Sequence, residues 1–193
     1  NSKNKYHIIG HGMSETIAHL FACKYPESIH SATLLSTDTA ITKQWTSHYL
    51  KMRSQLPCSR EKILLHLSYQ LFGRELSKKY PVFTSLLAKC LDNEYILGSI
   101  ASQINLGILK GSDIPTLVIN GHDDFVIDRM TQARWGEQLK PGDHYRSIEN
   151  ARHFFQHEEA NQTAAVIESF LDMVPEEDTN NSVTIKSKYL PTK

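Results

Sequence analysis

The sequence has little cysteine, no net charge and no long apolar run. Its three cysteines, Cys23, Cys58 and Cys90, are far apart and form no C-x-x-C pair. That pattern argues against a disulfide framework and against a zinc site, so no metal or other cofactor is expected, and a reducing, cytoplasmic setting fits best. Twenty-one basic and 21 acidic residues cancel, which removes the electrostatic footprint of a protein that binds nucleic acid or an anionic membrane. No stretch approaches the roughly 20 apolar residues that span a bilayer, and residues 1–5 are not followed by a signal-peptide core. Ten histidines are present, and only their local surroundings can give them meaning.

What is there is an alternation of strand and helix patterns. Strands are expected at Tyr6–Gly10, Ser31–Thr37, Thr116–Asn120 and Tyr145–Ile148. Helices are expected at Met13–Tyr25, stopped by Pro26, at about Asp128–Leu139, and at about Glu158–Val174 with Ile167, Phe170, Leu171 and Val174 on one face. Such alternation implies an α/β fold with a parallel sheet and right-handed crossovers. Between Asp38 and Gly111 the periodicity is helical throughout, and three or four helices are expected there. That stretch is too long for a connection and reads as a helical cap. Beyond Pro175 the chain turns polar, so the expected organisation is a core of residues 1–38 and 111–174, a cap of 39–110 and a solvated tail of 175–193.

The stretch "YHIIGHGMSET" drives a strand into a sharp turn and out as a helix, the layout of a nucleophile elbow, whose reactive side chain stands at the apex of G-x-S-x-G. Here the apex is Gly12. "GHDDFV" follows the third strand and "ENARHFFQHE" the fourth. In a parallel sheet all such loops open at the same edge, where catalytic groups of open α/β sheets gather. Gly12, Asp124 and His153 are therefore expected to converge.

Taken together, "IIGHGMSETIAHLFACKYPESI", "IPTLVINGHDDFVI" and "ENARHFFQHEEANQTAAVIESFL" resemble the second half of an α/β-hydrolase, over residues 6 to about 174 and in the chain order nucleophile, acid, histidine. The resemblance implies a partial α/β-hydrolase fold: the last four strands of the sheet, flanked by helices, with the cap inserted. It implies Asp124 as the acid, His153 as the histidine, Gly12 at the nucleophile position and the Met13 backbone amide as one oxyanion donor. It also implies a small-molecule ester-like or acyl substrate or ligand, in the manner of capped esterases, lipases and acyl hydrolases.

Two departures stand against the match. Gly12 has no side chain to attack a carbonyl, and the strands that precede the elbow in the family, with the second oxyanion donor, are absent from this sequence. The first residue is Asn1 rather than Met, so the partner to expect is a missing N-terminal half of the same protein. Ser14 cannot replace the apex, because two residues along a helix turn a side chain by about 200°. Glu15 stands where the family has a small residue, either tolerated at a loosened interface or facing the pocket. His122, Asp123 and Asp124 are consecutive, which suits a metal poorly. His11 reads as structural and His157 as a surface residue. The expectation is a hydrolase relative that is inactive or weakly active. A non-catalytic ligand- or partner-binding member of the fold is the alternative, and a truncated gene product is the third.

Overall fold

The computed structural model describes residues 5–37, 45–92, 113–127 and 129–175. Four parallel strands, β1 (Tyr6–His11), β2 (Ile29–Leu35), β3 (Thr116–Gly121) and β4 (His144–Ile148), lie side by side in chain order. Every residue of β3 is buried, as expected of a strand whose apolar run is covered on both faces. Alternation along the strands sends Ala32, Leu34 and Val118 to one face, where Trp135 packs on them with Ile8 and Ala18. Leu35, Leu117, Ile119 and Ile148 go to the other, under Phe155, Phe170 and Val174. Full burial of a side chain such as Phe170 contributes about 1.5–3 kcal/mol, so these two layers hold the sheet.

Helix α1 (Met13–Lys24) follows β1, and α5 (Arg129–Gln138) lies between β3 and β4. After β4 come a short helix α6 (Phe155–Glu158) and a longer α7 (Ala160–Met173). The final helix expected over about 158–174 is α7, and the short helix α6 ahead of it, set off at Glu159 with φ and ψ of −118° and 55°, is an addition to what the sequence pattern announces. Glu158, the last residue of α6, turns its carboxylate back to accept from the Arg152 amide at 2.7 Å and from its guanidinium at 2.9 Å. The second strand also differs from expectation, starting at Ile29 and stopping at Leu35. Ser36 leaves the extended region with φ 51°, while its amide still donates to the Ile119 carbonyl.

Within the stretch expected to be a cap, the described residues hold α2 (Trp45–Gln55), α3 (Arg60–Phe72) and α4 (Tyr80–Asp92). Ser59 caps α3 by accepting from the Lys62 amide, and Gly73, with φ 73°, ends it. Leu64, Leu67, Leu71 and Phe72 of α3 form a separate apolar cluster with Tyr49, Met52, Leu87, Val126 and Ile127. That cluster joins the helices to the loop after β3. The expected helical periodicity of 93–112 and the polar tail from 176 lie outside the described residues. Among the described residues no helix is long and apolar enough to cross a membrane.

Two glycines set the approach of loops to strands. A Cβ on Gly10 would lie 2.4 Å from the Ser14 carbonyl oxygen, and one on Gly121 would lie 2.2 Å from the Arg152 carbonyl oxygen. Both clashes are with backbone, which cannot swing aside. Gly10→Ala is therefore expected to destabilise the fold by about 1–3 kcal/mol, the usual cost of overpacking. Gly136 lies within α5 with open space where a Cβ would stand, so Gly136→Ala is expected to stabilise by about 0.5–1 kcal/mol. Urea denaturation of the two variants checks the opposite signs.

Candidate functional site

β1, β2 and β3 run parallel, so the ends of all three lie at one sheet edge. At the end of β1, Gly12 turns the chain into α1 with φ 56° and ψ −123°, a conformation that glycine adopts at little steric cost. Its amide donates to the Leu35 carbonyl at 3.1 Å. A Cβ placed on Gly12 would meet nothing within 4 Å. Met13 is the first residue of α1, where backbone N–H groups have no acceptor within the helix. Ser14 is solvent-exposed. Glu15 is buried in the first turn of α1, where the Thr16 hydroxyl donates to its carboxylate at 3.0 Å, and a negative charge is favoured near a helix N-terminus.

Asp124 follows β3 and His153 precedes α6, and the two are hydrogen bonded: Asp124 Oδ2 faces His153 Nδ1 at 2.9 Å. The other carboxylate oxygen accepts from the amides of Val126 at 2.8 Å and Ile127 at 3.2 Å. Asp124 is 4% and His153 5% exposed, so the pair is shielded from water and each carboxylate oxygen has a partner. With Nδ1 carrying the proton given to Asp124, Nε2 is the basic nitrogen of the neutral ring.

The loop that carries His153 is held from several directions. Its main-chain carbonyl accepts from His11 Nε2 at 3.0 Å and from the Ser36 hydroxyl. The next residue, Phe154, gives its amide to the Leu71 carbonyl of α3 at 3.0 Å. Rings stack in a column, Phe83 on Phe72 at 3.8 Å, Phe72 on Phe154 at 4.5 Å and Phe154 on His11 at 4.9 Å. Ser36 and Phe154 are the site residues that sequence reasoning passed over. Ser36 was hidden inside the strand expected over Ser31–Thr37, and only the end of β2 at Leu35 brings it to the sheet edge.

The remaining sequence candidates stand apart from this pair. His122 makes an ion-pair contact of 3.6 Å with Glu149 at the surface, and Asp123 and His157 are exposed. Among the described residues, no three His, Cys, Asp or Glu side chains cluster to hold a metal. A groove between β4 and α7, lined by Arg146, Phe170 and Met173 among others, shares no residue with the Asp124–His153 site.

Several solved structures superpose on the chain. A thermophilic esterase matches with a TM-score of 0.70 at 18% identity, covering 88% of this chain and 67% of its own. The fold is the α/β-hydrolase fold, present in part. A meta-cleavage product hydrolase from Pseudomonas fluorescens matches this α/β-hydrolase sheet with a TM-score of 0.65 at 16% identity, over 88% of this chain and 65% of its own. An enzyme that degrades N-acyl homoserine lactones matches with a TM-score of 0.64 at 16% identity, over 86% of this chain and 68% of its own. No family model matches the sequence. Among curated proteins, an uncharacterized protein of Nostoc sp. is 28% identical over 150 residues, 78% of this chain and 60% of its own. One of Synechocystis sp. is 25% identical over 185 residues, 96% of this chain and 73% of its own. The chain thus spans less than two thirds of the Nostoc protein's length.

Burial, and then the neighbouring His153, pull the His11 imidazole down from 6.5 to about 4. The unfolded chain therefore binds more protons between these two values. His11's contribution to stability is complete above about pH 6.5 and is lost progressively as pH falls towards 4, by roughly 3 kcal/mol. Urea midpoints measured from pH 7 to 4.5 should fall with acidification, and His11→Phe should flatten that slope by about one proton.

Proposed function

We propose that the chain is the C-terminal portion of an esterase-, lipase- or acyl-hydrolase-like protein that retains the acid and histidine of a catalytic triad and has lost the nucleophile. The observation that carries this reading is the buried Asp124–His153 hydrogen bond of 2.9 Å beside a strand-turn-helix elbow whose apex is Gly12. In an intact serine member an apex hydroxyl would attack an ester-like carbonyl. His153 would take its proton at Nε2 and return it to the leaving group, while Asp124 holds the tautomer. The Met13 amide would be one of two donors to the oxyanion. With Gly12 at the apex the covalent step has no attacking atom, and the chain is proposed to be inactive or weakly active as a hydrolase.

The helices α2–α4 are proposed as a cap over the sheet edge that carries the site. Their apolar cluster includes Val126 and Ile127, adjacent to Asp124, and Phe125 and Phe154 pack against it. A completing segment, such as a missing N-terminal half, is proposed to pair with β1. Tyr6 and Ile9 on β1 and Ile17, Leu20 and Phe21 on α1 are exposed apolar side chains, an edge that soluble folds ordinarily cover. Such a segment would carry the second oxyanion donor. The three free cysteines are exposed, which suits the reducing cytoplasm. The ligand is proposed to be a small ester-like or acyl compound, with no role for nucleic acid.

One observation favours the alternative of a binding member. Gly12 relaxes a turn that an L-residue would strain, at a cost on the order of 1–3 kcal/mol, so its presence stabilises the elbow at the expense of chemistry.

The experiment is labelling with a fluorophosphonate probe, which needs an activated serine. The unmodified chain should not label. Gly12→Ser should label only when the completing segment is also supplied, since one missing oxyanion donor costs about 3–4 kcal/mol. A protein adapted to binding would stay inert with both changes made. Clear esterase activity of the unmodified chain that His153→Ala abolishes would overturn the loss-of-nucleophile reading in favour of an activated water.

A further inference from the structure

We infer that His11 and Ser36 are positioning residues for His153, acting on its main-chain carbonyl from the ends of two different strands. The inference rests on the acid-base reading of the Asp124–His153 pair. An imidazole can serve as a base only if its ring is aimed, and aiming requires that both its backbone and its Nδ1 be fixed. Asp124 fixes Nδ1. The backbone of His153 lies in a loop between β4 and α6, with no ladder of its own to hold it.

Two side chains hold its carbonyl. The carbonyl oxygen of His153 has two lone pairs, and it accepts from His11 Nε2 at 3.0 Å and from the Ser36 hydroxyl. His11 is the last residue of β1, and Ser36 immediately follows β2. Each donor is itself constrained. The His11 ring is stacked on Phe154 at 4.9 Å with planes 20° apart, and Phe154 is stacked on Phe72 at 4.5 Å. Ser36 holds a positive φ of 51°, uncommon for a residue with a Cβ. Such a conformation persists where the surroundings over-determine it. Its amide donates a hydrogen bond to the Ile119 carbonyl at 2.9 Å, and that conformation accompanies a hydroxyl directed at the His153 carbonyl.

The test is NMR of the chain labelled with 15N-histidine, which reads geometry without needing turnover. The unmodified chain should show a slowly exchanging, low-field proton on His153 Nδ1 that Asp124→Asn removes. His11→Phe keeps a ring against Phe154 and deletes the donor, while Ser36→Ala deletes the hydroxyl. Each should speed exchange of that proton by about fivefold, the factor that one hydrogen bond typically supplies. His11→Gln returns an N–H donor and should restore slow exchange, which a role in ring packing alone would not produce. Unchanged exchange in folded Ser36→Ala and His11→Phe, with the proton still lost in Asp124→Asn, overturns the inference alone. If His11→Phe fails to give a cooperative melt, Ser36→Ala decides by the same criterion. Absence of the proton in the unmodified chain, or its survival in Asp124→Asn, overturns the pair itself and the inference with it.

Discussion

A carboxylate taken out of water must be given back its hydrogen bonds, and in this protein the loops around β3 are arranged to do so for Asp124. Two backbone amides and one imidazole nitrogen serve its oxygens. Leaving such a group unpaired would cost more than the net worth of an ordinary hydrogen bond. Satisfying it draws the turn at 124–127 tight and fixes where His153 must stand. Gly121 permits this closeness, since its Cα passes where any side chain would strike the backbone of residues 151 and 152.

The helices between β2 and β3 are tied to the same place. Leu71 accepts from the Phe154 amide, and Phe72 stacks on the Phe154 ring. Glu158 bonds both the backbone and the guanidinium of Arg152, and its carboxylate lies where a Cβ on Gly73 would stand. Arg152 also lies over the Tyr69 ring, 5.1 Å from its centre. Backbone, aromatic and ionic contacts thus meet at one junction, where α3 ends and the histidine loop begins. The junction makes α3 a wall of the region around His153 rather than an appendage.

At the opposite side of the sheet the balance is different. β1 is an outer strand with Ile9 55% exposed, and α1 leaves Ile17 62% exposed. The inner face of the same helix is tight, with Ala22 buried and Gly10 admitting the backbone at Ser14 and Glu15. The apolar surface left outside is of the kind that a further strand or helix covers in related folds.

The four strands were legible in the sequence because each depends on local pattern, and the pairing of Asp124 with His153 was expected from the loops after β3 and β4 together with the family resemblance. Apolar runs ended by glycine mark β1 and β3, and the phrases after β3 and β4 mark the loops. The turn at Gly12 between β1 and α1 was expected from two glycines in three positions, which permit the positive φ found there. What escaped the sequence depends on contacts between distant segments. The arrest of β2 at Leu35 accompanies Ser36 reaching across to residue 153, and the short α6 ahead of α7 accompanies Glu158 reaching back to Arg152. Neither residue has a local propensity that would announce it. The sequence by itself determined which elements form and which chemical groups stand at their ends, because periodicity and turn chemistry act over a few residues. The tertiary structure alone decided how His153 is aimed, because that depends on donors from β1 and the end of β2 and on a carboxylate acceptor from the turn after β3, far apart in the chain and brought together only when the sheet closes.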